Sequence, residues 1–251
     1  PRRRGSCPLR ARDRSDSIRP LATSKMHPDS MSAALTRRGG DLALIWEPNL
    51  PGAKGLKYTY QELYEKVCRM ANVLKKYGVK KGDVVCLYLP MIPEAMVAML
   101  ACARLGAVHN VVFAGFSARS LADRINDCGA FLLIASDYGY RGSKVLSIKN
   151  IVDEALLSCP QVTTVLLVKR TAKKIPLKTG RDFWLKPAMI KAGKECPATI
   201  VRSEDPLFVL YTSGSTGKPK GVVHASGGYM VYADYSFRSV FGYQPGEIYW
   251  A

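Results

Sequence analysis

Between residues 83 and 168, short apolar runs alternate with amphipathic stretches at the spacing of βαβ units, and nothing else in the sequence restricts the fold as strongly. The runs are 83–89, 108–113, 131–135 and 163–168. Each is short and nearly continuous in apolar residues, the pattern of a strand buried on both faces. Helical periods separate them. Pro93 opens one that ends at Gly106; Leu121, Ile125 and Cys128 align on a second that Gly129 stops; Ile148, Ile151, Val152, Ala155 and Leu156 mark a third. Upstream, residues 42–46 read as a strand, followed by a Pro/Gly turn region at 48–55. Thr59-Tyr-Gln-Glu62 is a capping box, behind which Leu63, Val67, Met70, Ala71 and Leu74 share one helix face before Gly78. Residues 170–204 are more polar and less periodic and read as a surface excursion, and 206–211 form a last clear strand. The expected fold is α/β, with a mostly parallel sheet flanked by helices.

Composition narrows the function classes. With 251 residues and 47% hydrophobic content the chain can bury a sizeable core and is not globally disordered. The richest apolar stretch, residues 91–112, is broken by Pro93, Glu94, Arg104, His109 and Asn110, so no membrane partner is expected. The net charge of +17 raises nucleic-acid binding. Yet the first 40 residues hold ten Lys/Arg against three Asp/Glu, and the remainder carries no basic stripe interleaved with aromatics. No nucleic-acid partner is expected, and the surplus charge suits an enzyme of polyphosphates. The seven cysteines are odd in number and form no Cys-x-x-Cys pair, and the three histidines lie far from any Cys pair in sequence, so buried free thiols are expected and no metal ligands are assigned. Residues 1–35 are Arg/Ser/Pro-rich without a period and read as a basic disordered leader or a mis-assigned segment; 36–251 read as the folded part. The expected compartment is the cytoplasm, or the mitochondrial matrix or a plastid if the leader is a transit peptide, which Asp13 and Asp16 oppose.

The chemistry concentrates in Thr212-Ser-Gly-Ser-Thr-Gly-Lys-Pro-Lys-Gly221. Gly214, Gly217 and Gly221 permit tight turns that expose N–H groups, and Thr212, Ser213, Ser215 and Thr216 offer four hydroxyls. Lys218 and Lys220 add two positive charges, with Pro219 stiffening the segment between them. This set suits an oxygen-rich polyanion such as a triphosphate. It is not a Walker A loop, because only two residues separate Gly214 from Gly217 and Pro219 follows the lysine. Residues 221–224 read as a strand, so the loop is expected to join two strands as a flap.

These residues, with Tyr211 before them, resemble the signature of the adenylate-forming superfamily, which includes acyl-CoA synthetases, luciferases and nonribosomal peptide adenylation domains. Pro90-Met-Ile-Pro-Glu-Ala-Met, Ala101-Cys-Ala-Arg-Leu-Gly-Ala-Val-His109, Val112-Phe-Ala-Gly-Phe-Ser117 and Val222-Val-His-Ala-Ser-Gly-Gly-Tyr229 are similar to the acetyl-CoA synthetases. The resemblance covers about residues 41–251 and implies that 36–251 is part of the large N-terminal AMP-binding domain of such an enzyme. It further implies a fragment that would not turn over alone, with the acyl pocket, metal-binding acid and adenylation lysine absent along with the C-terminal part of the same enzyme. The implied activity is AMP-forming acetate–CoA ligation with acetate, ATP, Mg2+ and CoA. Propionate or another short-chain acid, or a non-catalytic nucleotide- or CoA-binding module, are the alternatives. Residues 212–218, 220 and 221 would hold the ATP phosphates, with Lys218 and Lys220 as electrostatic clamps. Phe113, Ala114 and Gly115, with Arg141, Gly142, Ser143 and Lys144, would contact the adenosine 3′-phosphate end of CoA. Ala114 stands where many members have Gly, and Lys144 where some have Arg, which removes a planar fork there. His109, His224 and the methionines at 91, 96 and 99 read as packing residues.

Overall fold

The computed structural model describes residues 38–49, 53–141, 144–212, 219–244 and 246–250. The expected leader, residues 1–35, lies outside them. Helix α1 (Tyr60–Lys76) starts at Thr59 with both capping-box bonds: Glu62 N–H donates to Thr59 Oγ1 at 3.2 Å, and Thr59 N–H to Glu62 Oε2 at 2.8 Å. All five of its predicted stripe residues are buried. Helix α2 (Pro93–Leu105) carries its proline in the first turn and stops at Gly106, in the left-handed conformation with φ 65°. Helix α3 (Ala118–Cys128) is capped by the Ser117 hydroxyl, which accepts from Ser120 N–H at 3.3 Å. Helix α4 (Ile148–Ala155) follows on the same side of the sheet.

Seven strands form the central sheet: β3 (Val84–Tyr88), β4 (Val108–Val111), β5 (Leu132–Ser136), β8 (Thr164–Val168), β9 (Asp182–Trp184), β10 (Pro206–Thr212) and β11 (Lys220–Ala225). Their spatial order is β11-β10-β4-β3-β5-β8-β9, parallel throughout except that β11 runs antiparallel to β10. Side chains alternate across the pleat. Val85, Leu87, Leu132, Ile134 and Leu166 pack with α1 and α2, whereas Val84, Cys86, Leu133, Val165 and Leu167 pack with α3 and α4. Two cores therefore share one sheet. The ladder between β10 and β4 has the register pairs Phe208 with His109 and Val209 with Asn110, so Tyr211 and Thr212 project past β4.

The structure adds elements that the sequence pattern does not reveal. The 42–46 strand, β1 (Leu42–Trp46), pairs antiparallel with β2 (Leu56–Thr59) in a small sheet of its own, immediately after the expected turn region. The polar excursion contains β9 and helix α5 (Leu185–Lys191), which extend the sheet and its covering layer. Elements of three and seven residues are too short to show a period. Charge fixes them instead. The Lys149 ammonium, 1% exposed, lies 2.5 Å from Asp153 and 3.0 Å from Asp182, and Arg181 reaches both carboxylates at 2.6 Å. Burial opposes the Asp182 charge, but Arg181, the Lys178 N–H and Lys149 prevail and hold its pKa below the usual carboxylate range. Arg69 closes the far end of α5 by donating to the carbonyls of Met189, Ile190 and Ala192. Among the described residues no helix is long and apolar enough to cross a membrane.

Candidate functional site

In an open parallel sheet, ligands settle at the carboxyl ends of the strands, where neighbouring connections leave for opposite faces. β3 and β4 meet that condition. The chain leaves β3 for α2 on one face and leaves β4 for α3 on the other. Residues 112–117 are the β4 exit, residues 137–147 follow β5, and residues 213–219 follow β10. All three segments singled out from the sequence thus emerge at one edge of the sheet.

The predicted phosphate loop does join two strands. Thr212 and Lys220 face each other at the end of the β10–β11 ladder, and both are exposed. Ser213, Gly214, Ser215, Thr216, Gly217 and Lys218 lie outside the described residues. Gly221 pairs with Tyr211, and a Cβ on it would come within 3.1 Å of Val209 Cγ2 and 3.2 Å of the Tyr211 ring. The absent side chain therefore lets the ring lie flat across the ladder where the loop departs.

The β4 exit is built around two rings. Phe113 is 57% exposed and Phe116 40%, with centroids 5.7 Å apart in an edge-to-face arrangement. Ala114 between them is buried, and a Cβ on Gly115 would overlap Phe113 Cε1, so the glycine sets where that ring rests. The Tyr88 hydroxyl, at the end of β3, donates to the Phe116 carbonyl at 2.6 Å, and burial pushes its pKa up to about 12. An exposed aromatic at a switch point suits stacking on a planar base.

Arg124 joins this exit to the hairpin. Its guanidinium lies 4.7 Å from the Phe116 ring centroid and 5.6 Å from that of Tyr211, and Nη1 donates to the Ser120 carbonyl at 2.7 Å. The residue is 8% exposed, so each ring contact is worth about 1–2 kcal/mol. The Tyr211 hydroxyl donates to Asp127 Oδ2 at 2.5 Å, one helical turn along α3. Burial first, then that bond to a carboxylate, raises the Tyr211 pKa far above its usual range. Sequence reasoning passed over Arg124. The signal was present: 121, 124, 125 and 128 are consecutive positions of the apolar stripe, and one of them is an arginine.

The third segment is a two-stranded hairpin of β6 (Gly139–Arg141) and β7 (Lys144–Leu146), in which Arg141 pairs with Lys144 across the tip. Gly142, Ser143 and the Arg141 side chain lie outside the described residues; Lys144 is exposed. Asp137, fully buried, anchors the hairpin's base by accepting from the N–H groups of Tyr138 (2.7 Å), Arg170 (2.8 Å) and Thr171 (3.1 Å). Arg170 lies over the Tyr140 ring and Lys173 over Tyr138, at 5.2 and 5.1 Å. Positive charge therefore collects around this hairpin. Among the described residues no hydrogen bond or ring contact links it to residues 113–117.

The histidines behave as packing groups. Phe208 is sandwiched between His109 and His224, with centroids 5.3 and 4.3 Å away. Burial holds the His109 imidazole neutral, with its pKa lowered to about 4, and its Nδ1 has no partner among the described residues. Among the described residues no group of three or more His, Cys, Asp or Glu side chains gathers to hold a metal ion.

A mostly parallel sheet whose connections leave its carboxyl edge on either side of a switch point defines an open α/β domain of the kind that takes ligands at that edge. The chain belongs to the AMP-binding enzyme family, which matches residues 31–251. It is 53% identical over 220 residues to the acetyl-coenzyme A synthetase of Bartonella quintana, covering 86% of this chain and 34% of that protein. It is likewise 53% identical over 216 residues to acetyl-coenzyme A synthetase 2 of Pseudomonas aeruginosa, covering 86% and 33%. The solved acetoacetyl-CoA synthetase of Streptomyces lividans superposes with a TM-score of 0.80 at 29% identity, over 88% of this chain and 33% of that one. The chain thus spans about a third of the length of the relatives it matches.

Proposed function

We propose that this chain supplies the ATP-phosphate and CoA contacts of an AMP-forming acetate–CoA ligase. The observation that carries the reading is the emergence of all three segments at one sheet edge, around the β3/β4 switch point. In the overall reaction an acetate oxygen attacks the α-phosphorus of ATP and pyrophosphate departs. The CoA thiol then attacks the acyl carbon and AMP leaves. Residues 212–218, Lys220 and Gly221 would grip the β- and γ-phosphates. Hydroxyls and N–H groups would take the phosphate oxygens, and Lys218 and Lys220 would offset charge on departing pyrophosphate without accepting protons. Phe113 would stack on the CoA adenine beside Ala114 and Gly115, and Arg141 with Lys144, flanking Gly142 and Ser143, would meet the 3′-phosphate. Mg2+ would arrive with the triphosphate; the described residues offer it no carboxylate cluster, so no protein ligand is assigned. The compartment that fits this reading and the buried free thiols is a reducing one, the cytoplasm.

Titration calorimetry with CoA and with dephospho-CoA tests the coenzyme half. CoA is expected to bind at least tenfold more tightly, and equal affinities would remove the 3′-phosphate assignment. ATP titrated in the same way tests the phosphate half. Replacing Lys218 and Lys220 by alanine is expected to weaken ATP at least about tenfold, and an unchanged affinity would overturn the phosphate assignment.

A further inference from the structure

Arg124 stands between two segments that the proposed function assigns to different ligands. On one side is the Phe116 ring, whose own carbonyl is held by Tyr88 and whose neighbour is the exposed Phe113. On the other is the Tyr211 ring, next to Thr212, on the part of β10 that projects past β4. That projecting part has no parallel-strand neighbour. It is tied to the body of the domain by its antiparallel partner β11 and by α3, through Arg124 against the ring and Asp127 on the hydroxyl at 2.5 Å. The partners of Arg124 among the described residues are two ring faces and one carbonyl. An ion pair would saturate the guanidinium on one side, whereas two ring faces let one cation hold two separate segments in register.

We infer that Arg124 is a positioning residue that couples the β4 exit at residues 113–117 to the base of the β10–β11 hairpin, so that a ligand on one alters affinity at the other. A planar base stacking on Phe113 acts on Phe116 through the edge-to-face pair, Phe116 presses on the guanidinium, and the guanidinium fixes the Tyr211 ring. Gly221, on which that ring lies, transmits the position to both arms of the hairpin. The inference rests on the proposed assignment of the two ligands.

Its test is the ratio of CoA dissociation constants measured without and with saturating ATP, by titration calorimetry on the whole chain. The ratio is unmoved by a uniform loss of affinity, which a merely structural residue would cause. The wild-type ratio is expected to depart from one by fivefold or more in either direction. Arg124→Met keeps the apolar volume and loses the cation, and its ratio is expected to fall to about one. Arg124→Lys is expected to recover part of it, and Tyr211→Phe, which keeps the ring and drops the Asp127 bond, to retain most of it. Thermal melts establish that each variant folds, and should Arg124→Met fail to do so, the Lys and Phe variants decide alone. A wild-type ratio of one with both ligands binding, or an unchanged ratio in Arg124→Met, would overturn the coupling while leaving the ligand assignment intact. If neither ATP nor CoA binds the wild type, the assignment itself falls and the coupling with it.

Discussion

Single residues carry the sharpest consequences where a group is held in a state that water would not favour. His109 is one. Its pKa is lowered to about 4 by burial, against roughly 6.5 in an unfolded chain. The unfolded state takes up a proton first as pH falls, so the stability this residue contributes is complete above about pH 6.5 and is lost progressively down to about pH 4. His109→Leu is expected to abolish that part of the slope. Urea midpoints at pH 7 and pH 4.5 should converge in the variant relative to the wild type by an amount equivalent to about 2–3 kcal/mol, and parallel slopes would refute the buried neutral state. Gly221 is another such residue. An alanine there must push the Val209 methyl or the Tyr211 ring by a few tenths of an ångström, and that ring is already held by Arg124 and Asp127. Gly221→Ala is expected to cost about 1 kcal/mol of stability and to weaken ATP more than CoA, both measurable on one purified variant.

At the scale of elements, what the sequence revealed and what it hid have the same origin. Helices α1, α2 and α3 were legible because each combines a long apolar stripe with a cap or a stop residue. β9 and α5 were not, since three and seven residues leave no period and their placement depends on ion pairs between distant segments. Lys149 shows how much rests on those pairs. Its ammonium is 1% exposed, and removing it leaves the carboxylates of Asp153 and Asp182 sharing Arg181, with the Lys178 N–H still on Asp182. Lys149→Met is expected to lose about 3 kcal/mol in chemical denaturation, and the double variant with Asp182→Asn to recover part of that loss. The candidate site divides along the same line. Its loops were visible as glycine, hydroxyl and lysine spacing, whereas the joint between them depends on Arg124 and Tyr211, which meet only after the chain has crossed the sheet.

Over the whole molecule, the two cores each hold three buried thiols: Cys68, Cys102 and Cys196 on one face of the sheet, Cys86, Cys128 and Cys159 on the other. Burial raises the pKa of Cys86, Cys102, Cys128, Cys159 and Cys196, to about 12 for Cys102 and well above normal for Cys86, so these five hold little thiolate in the folded state. Because both layers lean on the same seven strands, alkylation of the two sets across a denaturant series is expected to share one midpoint; separate midpoints would mean that the layers unfold independently. The sheet is not uniform from centre to rim, however. β3 is bonded on both sides along its length, while β11 is bonded on one side and β10 meets its parallel neighbour at two register pairs. Amide hydrogen exchange should therefore follow a gradient, slowest in β3 and β5 and fastest in β11. The β10–β11 hairpin would then open at a fraction of the global unfolding free energy, so that a nucleotide held there as proposed exchanges while both cores stay closed.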